Sequence, residues 1–125
     1  MGPRVLVLDD DHNILVLLRT YFEGLGWHVE ACAEASDGLR LADSEANFDA
    51  VICDLHFTGA HLGEGYEILG RARRRRPHSA VLLFTGAAGE GVREEALRCG
   101  ADEVITKPAP LARLRDAALR AMKKA

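Results

Sequence analysis

Residues 51–59 read VICDLHFTG, an apolar run that stops on an acid and gives way to residues unable to continue a buried strand. Short continuous apolar segments of this kind fit strands covered on both faces, as in a parallel sheet. DAVIC (49–53) therefore predicts a strand with Asp54 at its carboxyl end. RVLVL (4–8) and AVLLF (80–84) have the same texture. WHVEACA (27–33) instead alternates Trp27, Val29, Ala31 and Ala33 against His28, Glu30 and Cys32, which predicts a less enclosed strand with one polar face. DEVIT (102–106) is a short fifth.

Helical spacing fills the intervals. Ile14, Leu15, Leu17, Leu18, Tyr21, Phe22 and Leu25 recur on one side of a helix, with Asp11 placed to cap its start and Gly26 to end it. Weaker patterns predict helices over residues 35–45, 64–75, 90–99 (closed by Gly100) and 110–123. Strand and helix alternate five times, an order that implies parallel strands joined by crossover helices. The expected fold is α/β, an open doubly wound sheet of five parallel strands in the flavodoxin-like order 2-1-3-4-5, with helices on both faces. Residues 1–125 are expected to form one domain.

Composition narrows the function. With 48% apolar and 28% charged residues the chain reads as soluble and globular, and no apolar run reaches the roughly 18 residues of a membrane span. The N-terminus lacks the h-region of a signal peptide, so a cytoplasmic location is expected. A net charge of −3 gives no field for nucleic acid. Cys32, Cys53 and Cys99 are odd in number and lack CxxC spacing, which predicts buried free thiols. The basic run RARRRRP (71–77) is expected to be a solvated helix end, and the stripe Leu111, Leu114, Ala118, Leu119 and Met122 to face the core.

In the 2-1-3-4-5 order, strands one and three are neighbours, and ligands bind beyond their carboxyl ends. VLVLDDD and VICD bring Asp9, Asp10 and Asp54 to that crevice. Two carboxylates about 4 Å apart repel by roughly 1 kcal/mol in water and about 4 kcal/mol at an effective dielectric near 20, so the cluster calls for a cation. Hard oxygen ligands suit Mg²⁺ or Mn²⁺. Thr85 and Lys107 end two other strands, and a hydroxyl and an ammonium beside such a cluster are what a transferred phosphoryl group needs.

VLVLDDDHNI, VICDL, LLFTG and GADEVITKP, in this order and spacing, resemble the receiver domain of two-component response regulators over essentially the whole chain. The resemblance implies that Asp54 accepts a phosphoryl group from the phosphohistidine of a histidine kinase or phosphotransfer protein, with Mg²⁺ bound by Asp9, Asp10, Asp54 and the backbone carbonyl of His56. It implies phosphoryl binding by Thr85 and Lys107, and a switch in the surface presented to a downstream effector rather than enzymatic turnover. Departures are also visible. Thr58 stands where the family usually has proline, the loop before Gly65 is longer, and Val104 occupies the switch position where an aromatic is common. Two other readings compete: a phosphate-independent interaction scaffold, favoured by Val104 and the loop, and a Mg²⁺-dependent phosphohydrolase, for which His56 is the nearby general acid. The chain is expected to be either a stand-alone receiver or the N-terminal part of a longer regulator.

Overall fold

The computed structural model describes residues 2–55, 63–86 and 89–122. The loop residues His56, Thr58 and His61 fall outside them. Along the chain run β1 (Arg4–Leu8), α1 (His12–Gly24), β2 (His28–Cys32), α2 (Ala35–Ala42), β3 (Ala50–Cys53), α3 (Gly63–Arg75), β4 (Ala80–Thr85), α4 (Glu90–Cys99), β5 (Glu103–Thr106) and α5 (Leu111–Met122). The five strands are parallel, in the order β2-β1-β3-β4-β5. Both match the expectation.

Side-chain alternation along each strand divides the core into two layers. Leu6, Leu8, Val51, Cys53, Val81, Leu83 and Val104 pack on one face, with Ile68, Leu69 and Ala96 from α3 and α4. Val5, Val7, Ala50, Ile52, Ala80, Leu82, Phe84 and Ile105 pack on the other, with Leu18, Phe22, Leu114 and Ala118 from α1 and α5. Each fully buried Val, Leu or Ile contributes roughly 1.5–3 kcal/mol, so the strands lacking any polar face, β3 and β4, anchor the sheet. Strand β2 pairs with β1 alone, which explains its exposed His28 and Glu30. Its polar-parity Cys32 is nevertheless buried in the first layer.

Helix ends follow local chemistry. The Asp11 carboxylate accepts a hydrogen bond from the Asn13 N–H at 2.9 Å and caps α1. Gly26 (φ +88) and Gly100 (φ +116) supply the left-handed backbone just beyond α1 and α4, which costs glycine little.

Four expectations need correction. Helix α2 stops at Ala42 rather than near 45, because the guanidinium of Arg76 draws the carbonyls of Leu41, Ala42, Ser44 and Ala46 to itself at 2.6–3.1 Å. The arginine run is accordingly a solvated helix end only in part, Arg74 and Arg75 being exposed. Arg76 is only 8% exposed, Arg73 donates to the carbonyls of Pro77, Ser79 and Gly100 and pairs with Asp102, and Arg75 donates to the Asp43 carbonyl. In α5, Leu119 is exposed while Ala117 and Ala121 are buried, since small residues fit the close approach of the helix to the sheet. Of the three free thiols, Cys32 and Cys53 are buried and Cys99 is half-buried.

The first turns of α3 lie against the end of β3. A Cβ on Gly65 would stand 2.8 Å from both the Cα and the carbonyl oxygen of Leu55, and backbone atoms cannot swing aside as a side chain can. Gly65→Ala is therefore expected to destabilise the fold by about 1–3 kcal/mol, read as a lower thermal unfolding midpoint. An unchanged midpoint would show that α3 has room to retreat.

Candidate functional site

The strand ends converge as the topology requires. Leu8 is in register with Cys32 on one side and Cys53 on the other, so Asp9 and Asp54 leave the sheet side by side. The Asp9 N–H donates to the Cys32 carbonyl at 3.1 Å and the Asp54 N–H to the Leu8 carbonyl at 2.8 Å. These ladder bonds extend the sheet by one residue and fix both Cα positions. Asp9 is 2% exposed and Asp54 6%. Asp9 Oδ1 accepts the Asp11 N–H at 2.9 Å, and Asp54 Oδ1 accepts the Leu55 N–H at 2.7 Å.

One oxygen of each carboxylate is thereby turned toward the backbone and the other toward Lys107. The Lys107 ammonium lies 2.6 Å from Asp9 Oδ2 and 3.2 Å from Asp54 Oδ2. Its own backbone is tied to β4, since the Lys107 N–H donates to the Thr85 carbonyl at 3.0 Å. Thr85 is fully buried at the end of β4. Four strand ends thus place Asp9, Asp54, Thr85 and Lys107 at one edge of the sheet, with Asp9, Asp54 and Lys107 in direct contact. Asp10, partly buried, completes the acidic side, with carboxylate oxygens of Asp9, Asp10 and Asp54 all within 4.8 Å of one another.

Electrostatics here are a contest between burial and pairing. Burial pushes the Asp9 carboxyl above its usual value, and the neighbouring Asp54 adds to this, while Lys107 and the Asp11 N–H pull the other way without prevailing. Burial alone would lower Lys107, but the two carboxylates outweigh it and hold the ammonium above its usual value. Among the described residues, the cluster sets three carboxyl groups, Asp9, Asp10 and Asp54, against the one ammonium of Lys107. Burial also pushes the Cys53 thiol well up, so beside Asp54 it is an inert neutral group.

The donor set fits a hard divalent cation. Octahedral ligands at about 2.1 Å from Mg²⁺ stand about 3 Å apart when adjacent and about 4.2 Å apart when opposite, within the spread of these oxygens. The His56 carbonyl, expected to join them, lies outside the described residues.

Two neighbours of the site escaped the sequence reading. Phe84 was legible only as a core residue of AVLLF, yet its ring centre is 5.5 Å from Lys107 Nζ. An apolar hollow of about 450 Å³ also opens beside Lys107, lined by Ile14, Leu17, Leu18, Phe84 and the segment 108–111. On the opposite face Val104 is 3% exposed and packs in the layer that holds Ala96 and Ala101.

Comparison with known proteins agrees with this geometry. Residues 5–119 match the family model described as the response regulator receiver domain. The transcriptional activator protein PfeR of Pseudomonas aeruginosa is 33% identical over 113 residues, which are 90% of this chain and 35% of that protein. The transcriptional regulatory protein TcrA of Mycobacterium tuberculosis is 32% identical over 107 residues, 86% of this chain and 41% of that protein. This chain therefore spans less than half the length of either relative. Among solved structures, a CheY-like response regulator receiver domain protein from Methanospirillum hungatei superposes with a TM-score of 0.85 at 27% identity, each chain being fully covered. With five parallel strands in the 2-1-3-4-5 order, acids at the ends of β1 and β3, and a family match over residues 5–119, the chain belongs to the receiver domains of two-component response regulators.

Proposed function

We propose that residues 1–125 form one receiver domain that works as a phospho-accepting switch, taking its phosphoryl group on Asp54. The observation that carries the reading is the Lys107 ammonium spanning the buried Asp9 and Asp54 at 2.6 and 3.2 Å. A carboxylate so placed is a nucleophile next to a fixed positive charge, the combination that aspartyl-phosphate chemistry needs.

An oxygen of Asp54 attacks the phosphorus of a phosphohistidine on a histidine kinase or phosphotransfer protein. The P–O bond forms as the P–N bond breaks, and the electron pair of that bond returns to the imidazole nitrogen of the donor. Lys107 follows the developing charge onto the phosphoryl oxygens, and the Thr85 hydroxyl, at the adjacent strand end, is a hydrogen-bond donor to one of them. A Mg²⁺ or Mn²⁺ ion held by Asp9, Asp10 and Asp54, with the His56 carbonyl as a further ligand, would supply the remaining positive charge. Hydrolysis by water later returns Asp54 to the carboxylate. Such a cycle is a switch with one equivalent of phosphate, not turnover of a substrate pool.

The effector that reads the switch is a partner protein or a further domain, and the domain itself neither binds nucleic acid, given its net charge of −3, nor sits in a membrane. Among the described residues no helix is long and apolar enough to cross one. A cytoplasmic location belongs to the same proposal. Val104, buried at the switch position, is a β-branched residue with few χ1 options and less reach than a ring, so the change on phosphorylation is assigned to the segments after Asp54 and Thr85 more than to β5.

The test is labelling with Mg²⁺ and acetyl phosphate, followed by intact mass. One added phosphoryl group per chain supports the switch; sustained release of phosphate from many phosphoesters would instead favour a hydrolase, and no labelling a scaffold. The metal ligands have their own test in a calorimetric Mg²⁺ titration. Asp10→Ala is expected to weaken binding by about tenfold, equivalent to about 1.4 kcal/mol. Affinity should also fall as pH drops toward the raised pKa of Asp9, because a proton there competes with the cation. Equal affinity in the variant would place the ion elsewhere.

A further inference from the structure

Phe84 is the penultimate residue of β4, and its side chain points away from the α3 and α4 layer toward α1 and α5. It is 3% exposed. The Lys107 ammonium stands over the ring, 5.5 Å from its centre, inside the range of cation–π attraction. Its other partners are the carboxylates of Asp9 and Asp54. The cation is thus held by two anions on one side and by a neutral π face on another.

We infer that Phe84 is a positioning residue for Lys107, its ring holding the ammonium at the crevice while the carboxylate partners change during phosphoryl transfer. This rests on the reading of Asp54 as the acceptor. Lysine is a compact charge on a flexible four-carbon stem, so its place depends on what surrounds the stem. Both carboxylates are wanted by other groups. A divalent cation draws on Asp9 and Asp54, and a phosphoryl group on Asp54 removes the charge that Lys107 pairs with. The ring takes part in neither exchange, since a hard cation does not bind it and it carries no proton to lose. Ile14, Leu18, Pro108 and Leu111 line the same hollow beside the ring and give the stem an apolar wall. Water there would compete for the ammonium.

The plain alternative is that Phe84 only fills the core, a role in which leucine would serve. Phe84→Leu keeps an apolar side chain and removes the π face, whereas Phe84→Tyr keeps the face. With acetyl phosphate and Mg²⁺, the rate at which Asp54 is labelled should fall roughly three- to tenfold in Phe84→Leu and stay within about twofold of the parent in Phe84→Tyr, the scale of one partly buried cation–π contact. A second readout needs no phosphate. In the unlabelled protein the Lys107 ε-methylene protons should resonate upfield of a free lysine through the ring current, keep that shift in Phe84→Tyr and lose it in Phe84→Leu. Labelling of Phe84→Leu at the parental rate, equal slowing in both variants, or Lys107 protons at the free-lysine position in the parent would each overturn the inference. Failure of the parent to label at Asp54 would instead remove the acceptor reading, and the proton shifts would still decide whether Phe84 holds Lys107.

Discussion

Asp54→Asn is expected to reduce labelling by acetyl phosphate to background. Asparagine has the shape of aspartate, and its carbonyl can still accept the Leu55 N–H that Asp54 Oδ1 accepts at 2.7 Å. The fold therefore has no reason to change. What is lost is the carboxylate oxygen proposed to attack phosphorus, since the amide is a far weaker nucleophile and its nitrogen points a donor where Lys107 already presents one. Asp9 stays 2.6 Å from Lys107 and Asp10 keeps its place in the cluster. If either were an acceptor of comparable reactivity, labelling would persist in Asp54→Asn. Intact mass before and after treatment decides the matter, and persistence of the phosphoryl adduct would sink the assignment.

The largest effect on stability is expected from a residue outside the site. Arg76→Met removes a guanidinium that is 8% exposed and donates to the carbonyls of Leu41, Ala42, Ser44 and Ala46. It also stands 5.1 Å from the Phe48 ring centre. Burial and the neighbouring Arg75 lower the pKa of Arg76, but a guanidinium starts so high that it remains charged at neutral pH. Methionine replaces the apolar stem and none of the donors. Hydrogen bonds from a charged group contribute roughly 1.5–3 kcal/mol each when broken one at a time, and water reaches some of the freed carbonyls, so a loss of about 2–4 kcal/mol is expected. For a domain of this size that is a fall of roughly 10 °C in the unfolding midpoint. Arg74→Met, an exposed neighbour in the same run, should change the midpoint by less than about 1 kcal/mol equivalent. Equal effects would mean that Arg76 is replaceable by solvent.

The contrast between Arg74 and Arg76 also marks what a sequence can and cannot tell. The three apolar runs specify β1, β3 and β4 because burial on both faces leaves no polar alternation to confuse them, and the structure begins β1 and β4 at the residues those runs begin on. Asp9, Asp10, Asp54, Thr85 and Lys107 were legible as a group because parallel topology sends every strand end to the same edge. Nothing local distinguishes one arginine of RARRRR from the next. Arg76 reaches carbonyls at and just beyond the end of α2, 30 to 35 positions back in the chain, and only the packing of α3 on α2 creates that contact. The early end of α2 was hidden for the same reason. Leu119 misled because leucine signals burial more strongly than the alanines at 117 and 121 that take the core positions. Phe84 was read correctly as core, but a run of apolar letters does not say which of them lies beneath an ammonium.

The Lys107–Asp9 bond joins residues 98 positions apart, and the Lys107–Asp54 bond residues 53 apart. No fragment of the chain that lacks β5 contains the crevice, so occupancy of the crevice is coupled to the integrity of the whole sheet. Any ligand that binds only the assembled strands withdraws its binding energy from the unfolded ensemble, and at a hundredfold excess over its Kd this adds about 2.7 kcal/mol to global stability. Contacts of such sequence separation carry a loop-closure cost that local contacts do not, so the crevice exists only where the rest of the sheet offsets that cost. On the proposed reading of Asp54, a newly made chain offers that carboxylate its Lys107 partner only once the residues beyond β5 have joined the sheet edge.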